Sequence, residues 1–322
     1  MEKILIIGAG GQLGSELTLA LQQKYGLDQV VVSDIKPVGQ ELSKGISVNI
    51  DVLDKKGLEE TVEHYKITQI YHLAAILSAV GEKNPKQAWD VNMNGLLNVL
   101  DIAHHHKLNK IFWPSSIAVY GPDTPKKNTP QTTIMNPNTM YGISKLAGER
   151  WCEYYHKKFK VDIRSLRYPG LIGYKSLPGG GTTDYAVDIY HNALRGEEFT
   201  CFLKKDTYLP MMYIPDAIQS TLQLMDAPAE RISVRSSYNI SGMSISPEEF
   251  YISIKKHFPD FKIHYEPDFR QEIADTWPQS IDDSIARKDW NWKPAFSLES
   301  MTEDMFNHLA PGGVRSQKQD FI

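Results

Sequence analysis

Cysteine is nearly missing from this 322-residue chain: Cys152 and Cys201 are its only two, too few for a disulfide framework or a cysteine-rich zinc site. Long hydrophobic runs are missing as well, since none approaches the ~20 apolar residues of a membrane span. The opening MEKILIIGAGG holds a short apolar run that breaks into glycines, so no signal peptide is expected. Neither sign of charge dominates, and a net charge of −4 gives no electrostatic reason to expect nucleic acid or an anionic membrane as partner. There is no internal repeat and no low-complexity tract. A hydrophobic fraction of 41% and a charged fraction of 23% are ordinary for a globular protein, and the expectation is a cytoplasmic α/β chain. Its length suits one large domain, or a large one with a smaller companion.

Short apolar runs alternate with amphipathic stretches through the first half, the sequence mark of parallel βαβ units. Strands are predicted over 4–7, 30–33, 46–50, 69–73, 110–114 and 161–167. Helices are predicted over 12–25, 54–66, 85–107 and 139–158, with Pro85 as a helix-starting proline. After about residue 171 proline, methionine and aromatic residues become more frequent. The expected architecture is α/β: a Rossmann-type doubly wound parallel sheet in residues 1–170, and a smaller C-terminal α/β substrate-binding cap in 171–322. Some cap segments should return to the first domain.

Three motifs carry chemistry. In LIIGAGGQLGSEL, Gly8, Gly11 and Gly14 follow an apolar strand and open a helix, a spacing that brings backbone close to a pyrophosphate. Asp34 lies twenty residues beyond Gly14 at the end of the next strand, where a carboxylate would bind ribose hydroxyls and repel a 2′-phosphate, favouring NAD over NADP. Asp51 either reaches an adenine amino group or caps a helix. In HLAAILSA the small Ala74 and Ala75 suit close approach to a ligand, and His72 reads as a packed core histidine. Tyr141 and Lys145 sit four apart, on one helix face. A free tyrosine, with a pKa near 10, is too weak an acid to serve as a base near neutrality. A neighbouring ammonium and a positive nicotinamide ring would favour its phenolate, and Ser116 could orient the reacting oxygen. The triplet 104–106, all histidine, reads first as a solvated helix end and only second as metal ligands, so no metal is expected.

With these motifs in place the chain resembles the extended short-chain dehydrogenase/reductases, the group that includes UDP-galactose epimerase. The matching residues are Gly8, Gly11, Gly14, Asp34, Asp51, HLAA at 72–75, Asn92, SSIAVYG at 115–121, Tyr141, Lys145, and the tail DDSIARKDWNWKPAFSLES. The resemblance implies Ser116, Tyr141 and Lys145 as the catalytic set. It implies NAD contacts also from Gln12, Leu13, Val52, Leu73, Ala74, Ala75, Asn92, Ser115 and Tyr168, and a homodimer through helices near 90–106 and 139–158.

The resemblance departs where nucleotide-sugar enzymes hold a diphosphate. In RYPGLIG, Pro169 and Gly170 stand in place of an asparagine, and in YLPMMYIPDAI, Leu209 and Pro210 stand near an expected arginine. Five segments instead resemble the short-chain-type L-threonine 3-dehydrogenases: LSA…GE at 78–82, PGLI at 169–172, GTTDYA at 181–186, LPMMY at 209–213 and TWPQS at 276–280. That subfamily implies NAD-dependent oxidation of the threonine β-hydroxyl; a nucleotide-sugar epimerase or dehydratase is the alternative, with a non-catalytic NAD sensor behind it. A glycine-rich helix start suits a small anion, so Gly180, Gly181, Thr182 and Thr183 are read as the substrate-carboxylate loop, with Ser78 opposite. One of Thr182 and Thr183 is also expected to cap the following helix. Trp277 either closes the pocket or packs in the core.

Overall fold

Ile4, Leu5, Ile6 and Ile7 are all fully buried, as a strand must be when helices cover both faces of its sheet. In the computed structural model, which describes residues 2–175 and 181–310, they form β1 (Ile4–Ile7). It is followed by β2 (Val30–Asp34), β3 (Ile46–Asn49), β4 (Gln69–His72), β5 (Lys110–Phe112), β6 (Ser115–Ser116) and β7 (Ile163–Arg164). The main sheet has six strands in the order β3-β2-β1-β4-β5-β7, all parallel. The strand order reverses between β1 and β4, which opens a crevice beyond their carboxyl ends.

Alternation along the strands feeds two separate cores. Ile4, Ile6, Val30 and Val32 face α1 (Gln12–Tyr25), while Leu5, Ile7 and Val31 face the other side of the sheet. That second face is covered by α2 (Lys55–Tyr65), then, beyond the short α3 (Ser78–Lys83) and α4 (Pro85–Trp89), by α5 (Gly95–His105) and α6 (Met140–Phe159). Pro85 takes the first helical position of α4 as expected. The stretch anticipated as one helix over 85–107 is α4, a π-helical turn at Asp90–Asn94, and α5 in succession.

The strand anticipated at 161–167 is divided. β7 pairs with β5, and after Ser165 the chain moves to β8 (Leu166–Tyr168), which pairs with β6. Pro114 explains the step from β5 to β6, because proline has no N–H to continue a ladder. The remaining strands are β9 (Gly170–Ile172), β10 (Phe199–Cys201), β11 (Leu209–Tyr213), β12 (Tyr238–Asn239), β13 (Met243–Ile245) and β14 (Ile263–Tyr265). They make a β13-β11-β9 sheet, a β10-β14 pair, and the β12-β8-β6 sheet.

Among the described residues six further α-helices follow: α7 (Tyr185–Arg195), α8 (Ile214–Asp226), α9 (Pro247–Lys255), α10 (Phe269–Thr276), α11 (Ser284–Trp290) and α12 (Leu298–Leu309). Ala217 and Leu224 of α8 join the core above α1, whereas α7, α9 and α12 share a third core around Tyr190, Phe250 and Phe306. Among the described residues no helix is long and apolar enough to cross a membrane.

Candidate active site

A cavity of about 270 Å3 opens where the β1 and β4 ends meet the segments after β9. Its sheet side is built from main chain. Gly8 has a φ of +88°, and a Cβ there would lie 2.5 Å from the amide nitrogen of Ala74. A Cβ on Gly14 would lie 2.2 Å from the Gly8 carbonyl oxygen. Helix α1 therefore starts pressed against the β1 turn. No side chain caps it, so its first N–H groups face the cavity that Gly11, Gln12, Leu13 and Gly14 line. The Asp34 carboxylate ends β2 beside this turn and accepts hydrogen bonds from the Gly10 N–H at 2.9 Å and the Lys36 N–H at 3.2 Å. A glycine cradle that any side chain would fill, an uncapped helix start and a carboxylate after the second strand together fit NAD.

On the β5–α6 side, Ser115, Ser116, Tyr141 and Lys145 line the same cavity. The Ser116 hydroxyl oxygen accepts from the Ala118 N–H at 3.2 Å, which leaves its own proton to donate. The buried Lys145 ammonium donates to the Pro114 carbonyl at 2.6 Å and lies 4.6 Å from the Trp113 ring centre and 5.5 Å from that of Tyr141. Burial pushes Lys145 down to about 7. Burial pushes Tyr141 up to about 12, and a hydrogen bond with Ser116 works against that rise.

The remaining expected cofactor residues divide. Leu73, Ala75 and Tyr168 line the cavity, and the Tyr168 hydroxyl is turned away onto Thr221 of α8. Ala74 supplies the backbone beneath Gly8. Ser115 donates to Glu149 at 2.7 Å, inside a buried pair of Glu149 with Arg167. Asn92 lies outside the lining: it holds both the N–H and the carbonyl of Ile76, at 2.8 and 3.0 Å. Val52 packs on Gly95, and Asp51 accepts from the Leu53 N–H at 2.9 Å. The alternative role foreseen for Asp51, capping a helix, belongs to Asp54, whose side chain accepts from Gly57 at the start of α2. His72 is buried as expected, yet neither of its ring nitrogens has a hydrogen-bond partner, and burial pushes its pKa down to about 3.

Opposite the sheet, Gly181, Thr182, Thr183 and Trp277 complete the lining, with Ser78 at the start of α3 on the sheet side, while Gly180 lies outside the described residues. Neither threonine caps α7. The cap position is Asp184, which makes no side-chain capping bond to the helix; its carboxylate reaches back along the loop and accepts from the Gly181 N–H at 2.7 Å. The Thr182 hydroxyl is buried in the cavity wall with no hydrogen-bond partner among the described residues. Trp277 meets both of its readings: it lines the cavity and joins the core around Tyr185. Sequence reasoning passed over Asp184 as a lining residue, although it stands inside the quoted GTTDYA run; its carboxylate is the one acidic side chain in the described lining.

Three of the five subfamily segments converge at one point. A Cβ on Gly170 would lie 2.5 Å from Met211 Sδ and 2.7 Å from Thr183 Cγ2, so PGLI, LPMMY and GTTDYA pack as one unit that only glycine at 170 permits. The other two flank it, with Trp277 and Ser78 in the lining and Glu82 accepting from the Met140 N–H at 2.6 Å.

Residues 4–241 match the model of the NAD dependent epimerase/dehydratase family. The chain belongs to that family. An uncharacterized epimerase/dehydratase of Staphylococcus saprophyticus is 49% identical over 312 residues, 96% of this chain and 97% of the relative. Among solved structures, a partial-consensus L-threonine 3-dehydrogenase is 56% identical with a TM-score of 0.94, covering 95% of this chain and 99% of its own. A GalE-like L-threonine dehydrogenase from Cupriavidus necator is 55% identical with a TM-score of 0.94, covering 96% and 100%. This member of the epimerase/dehydratase family is thus an NAD-dependent enzyme of extended short-chain dehydrogenase/reductase type.

Proposed function

We propose that the protein oxidises the β-hydroxyl of L-threonine to a ketone, giving 2-amino-3-ketobutyrate, with NAD as acceptor. The observation that supports this reading is the Gly170–Thr183–Met211 packing unit beside the cavity, formed by the segments in which Pro169, Gly170, Leu209 and Pro210 stand where the resemblance to nucleotide-sugar enzymes would ask for diphosphate partners. The likeness to proteins named L-threonine dehydrogenase over nearly the whole chain supports it.

Tyr141 takes the hydroxyl proton and Ser116, its oxygen held by Ala118, donates to the reacting oxygen. Gly8, Gly11, Gly14, Asp34 and Lys145 would hold NAD, which when bound would supply the acceptor for the Cβ hydride and a positive ring that favours the Tyr141 phenolate. Lys145 is fixed by Pro114 and Trp113 within reach of Tyr141 and the ribose. A threonine zwitterion asks for partners of both signs. Gly181, Thr182 and Thr183 form the wall read for the carboxylate, with the buried Thr182 hydroxyl as donor, and Asp184 is the acidic side chain of the same described lining. Ser78 and Trp277 close the remaining sides.

We also infer a cytoplasmic homodimer with the Rossmann-type domain in 1–170 and the cap in 171–322. Trp89, Ile143, Trp151 and Tyr154 are exposed on α4 and α6, and the last three fall on one face of α6. Sedimentation or light scattering checks the dimer.

The direct test is NADH absorbance after mixing protein and NAD with L-threonine, L-allo-threonine, L-serine or a UDP-sugar. Fast NADH formation with L-threonine is expected. Conversion of the UDP-sugar with silence on threonine would favour the nucleotide-sugar reading and overturn this one.

A further inference from the structure

The end of α5 carries a cluster that the catalytic chemistry does not use. Consecutive helical residues point about 100° apart, so His105 and His106 would diverge if the helix continued. It stops there instead: His106 is the C-cap, with φ −87° and ψ 2°, and Lys107 turns into the left-handed region at φ 52°. The two rings end 5.0 Å apart between centres, both beside Glu59 of α2. Donor atoms of Glu59, His105 and His106 lie within 4.8 Å of one another, and His106 Nε2 is 3.1 Å from Glu59 Oε1. His104 takes no part, because it packs 4.4 Å from the Phe159 ring on α6.

We propose that Glu59, His105 and His106 bind one divalent transition-metal ion, Zn2+ being the representative case, and that the ion clips α2 to the end of α5. Two imidazoles and a carboxylate are the ligand set that such ions prefer over Mg2+ or Ca2+, and a fourth position stays open to water. His106 is only 18% exposed, so one of the three ligands is held in place by packing before any ion arrives. Coordination replaces the Nε2 contact with Glu59 by two bonds to the metal. The site stands apart from the cavity, whose lining includes none of the three residues, so its occupancy is independent of the substrate reading.

The test uses tag-free, metal-stripped full-length protein titrated with ZnCl2 in a calorimeter. One equivalent is expected to bind the wild type, His105→Ala and Glu59→Gln should each weaken binding by about ten-fold or more, and His104→Ala should leave it unchanged. A parallel CoCl2 titration of the wild type, read by the visible bands of nitrogen- and oxygen-ligated Co2+, tests the ligand set without any substitution. Absence of saturable uptake, or equal uptake by the His105→Ala and Glu59→Gln variants, overturns the site.

Discussion

On the β1–α1 side of the cavity the surface is main chain, with Gly8, Gly11 and Gly14 leaving N–H groups and carbonyls at the wall. On the side after β9 the surface is side chain: Thr182, Thr183, Asp184 and Trp277. The first wall works for any ligand with a pyrophosphate, because backbone geometry carries no information about what is attached to it. The second wall is the one we propose to discriminate, its Thr183 fixed by the packing of Gly170 on Thr183 and Met211. Substitutions on the two sides should therefore fail in different ways.

The largest effect is expected between the walls, at Tyr141. Tyr141→Phe should cost about 10²- to 10⁴-fold in kcat while NAD affinity, measured by fluorescence titration, stays near wild type. Retention of more than about a tenth of the rate would remove Tyr141 from the base role. On the backbone wall, Gly8→Ala forces a Cβ into Ala74 at positive φ, and a loss of about 1–3 kcal/mol in urea unfolding is expected together with weakened NAD binding. On the side-chain wall, Thr182→Val keeps the shape and removes the hydroxyl. It should leave unfolding and NAD binding unchanged and raise the threonine KM about ten-fold. An unchanged KM would mean that the discriminating wall lies elsewhere.

The smallest effect concerns the charge on Lys145. Its pKa falls from 10.5 to about 7 in the fold, so below pH 7 a charge is buried at a cost, and above about pH 10.5 the residue is neutral in both states. Stability from this group therefore rises with pH between the two values. Lys145→Met, inactive by design, should be more stable than wild type at pH 7 in urea, with the margin shrinking toward pH 10. A margin independent of pH would show that Lys145 is charged throughout.

The same contrast governs what the sequence could reveal. β1 and α1 fall on the expected residues, 4–7 and 12–25, because an unbroken apolar run and a glycine spacing are local signals. The division of 161–167 at Ser165 was not legible, since which sheet each half joins depends on Pro114, some fifty residues earlier. Nor was the choice of Asp184 over Thr182 or Thr183 as cap, or of Asp54 over Asp51. Both contests are between neighbours of similar propensity: Asp54 wins because its oxygen reaches the Gly57 amide, whereas Asp184 holds its place by backbone position, with no side-chain capping bond. The cap segments were recognisable as strings, but their meeting at Gly170 is a property of three dimensions.

The π-helical turn at Asp90–Asn94 has a consequence of its own. A wide turn is one residue more than the helix needs, so it acts as a phase shift between α4 and α5. Asn92 sits in it, gripping Ile76 by both main-chain groups and donating to Ser144 at 3.2 Å, next to Lys145. Deleting one residue here would restore regular helical bonding and yet rotate everything upstream by about 100° relative to α5. The bend leading to Ser78 would lose its anchor while the helix improved. The extra residue thus trades a little helical regularity for angular alignment, in the way a shim sets one machine part against another.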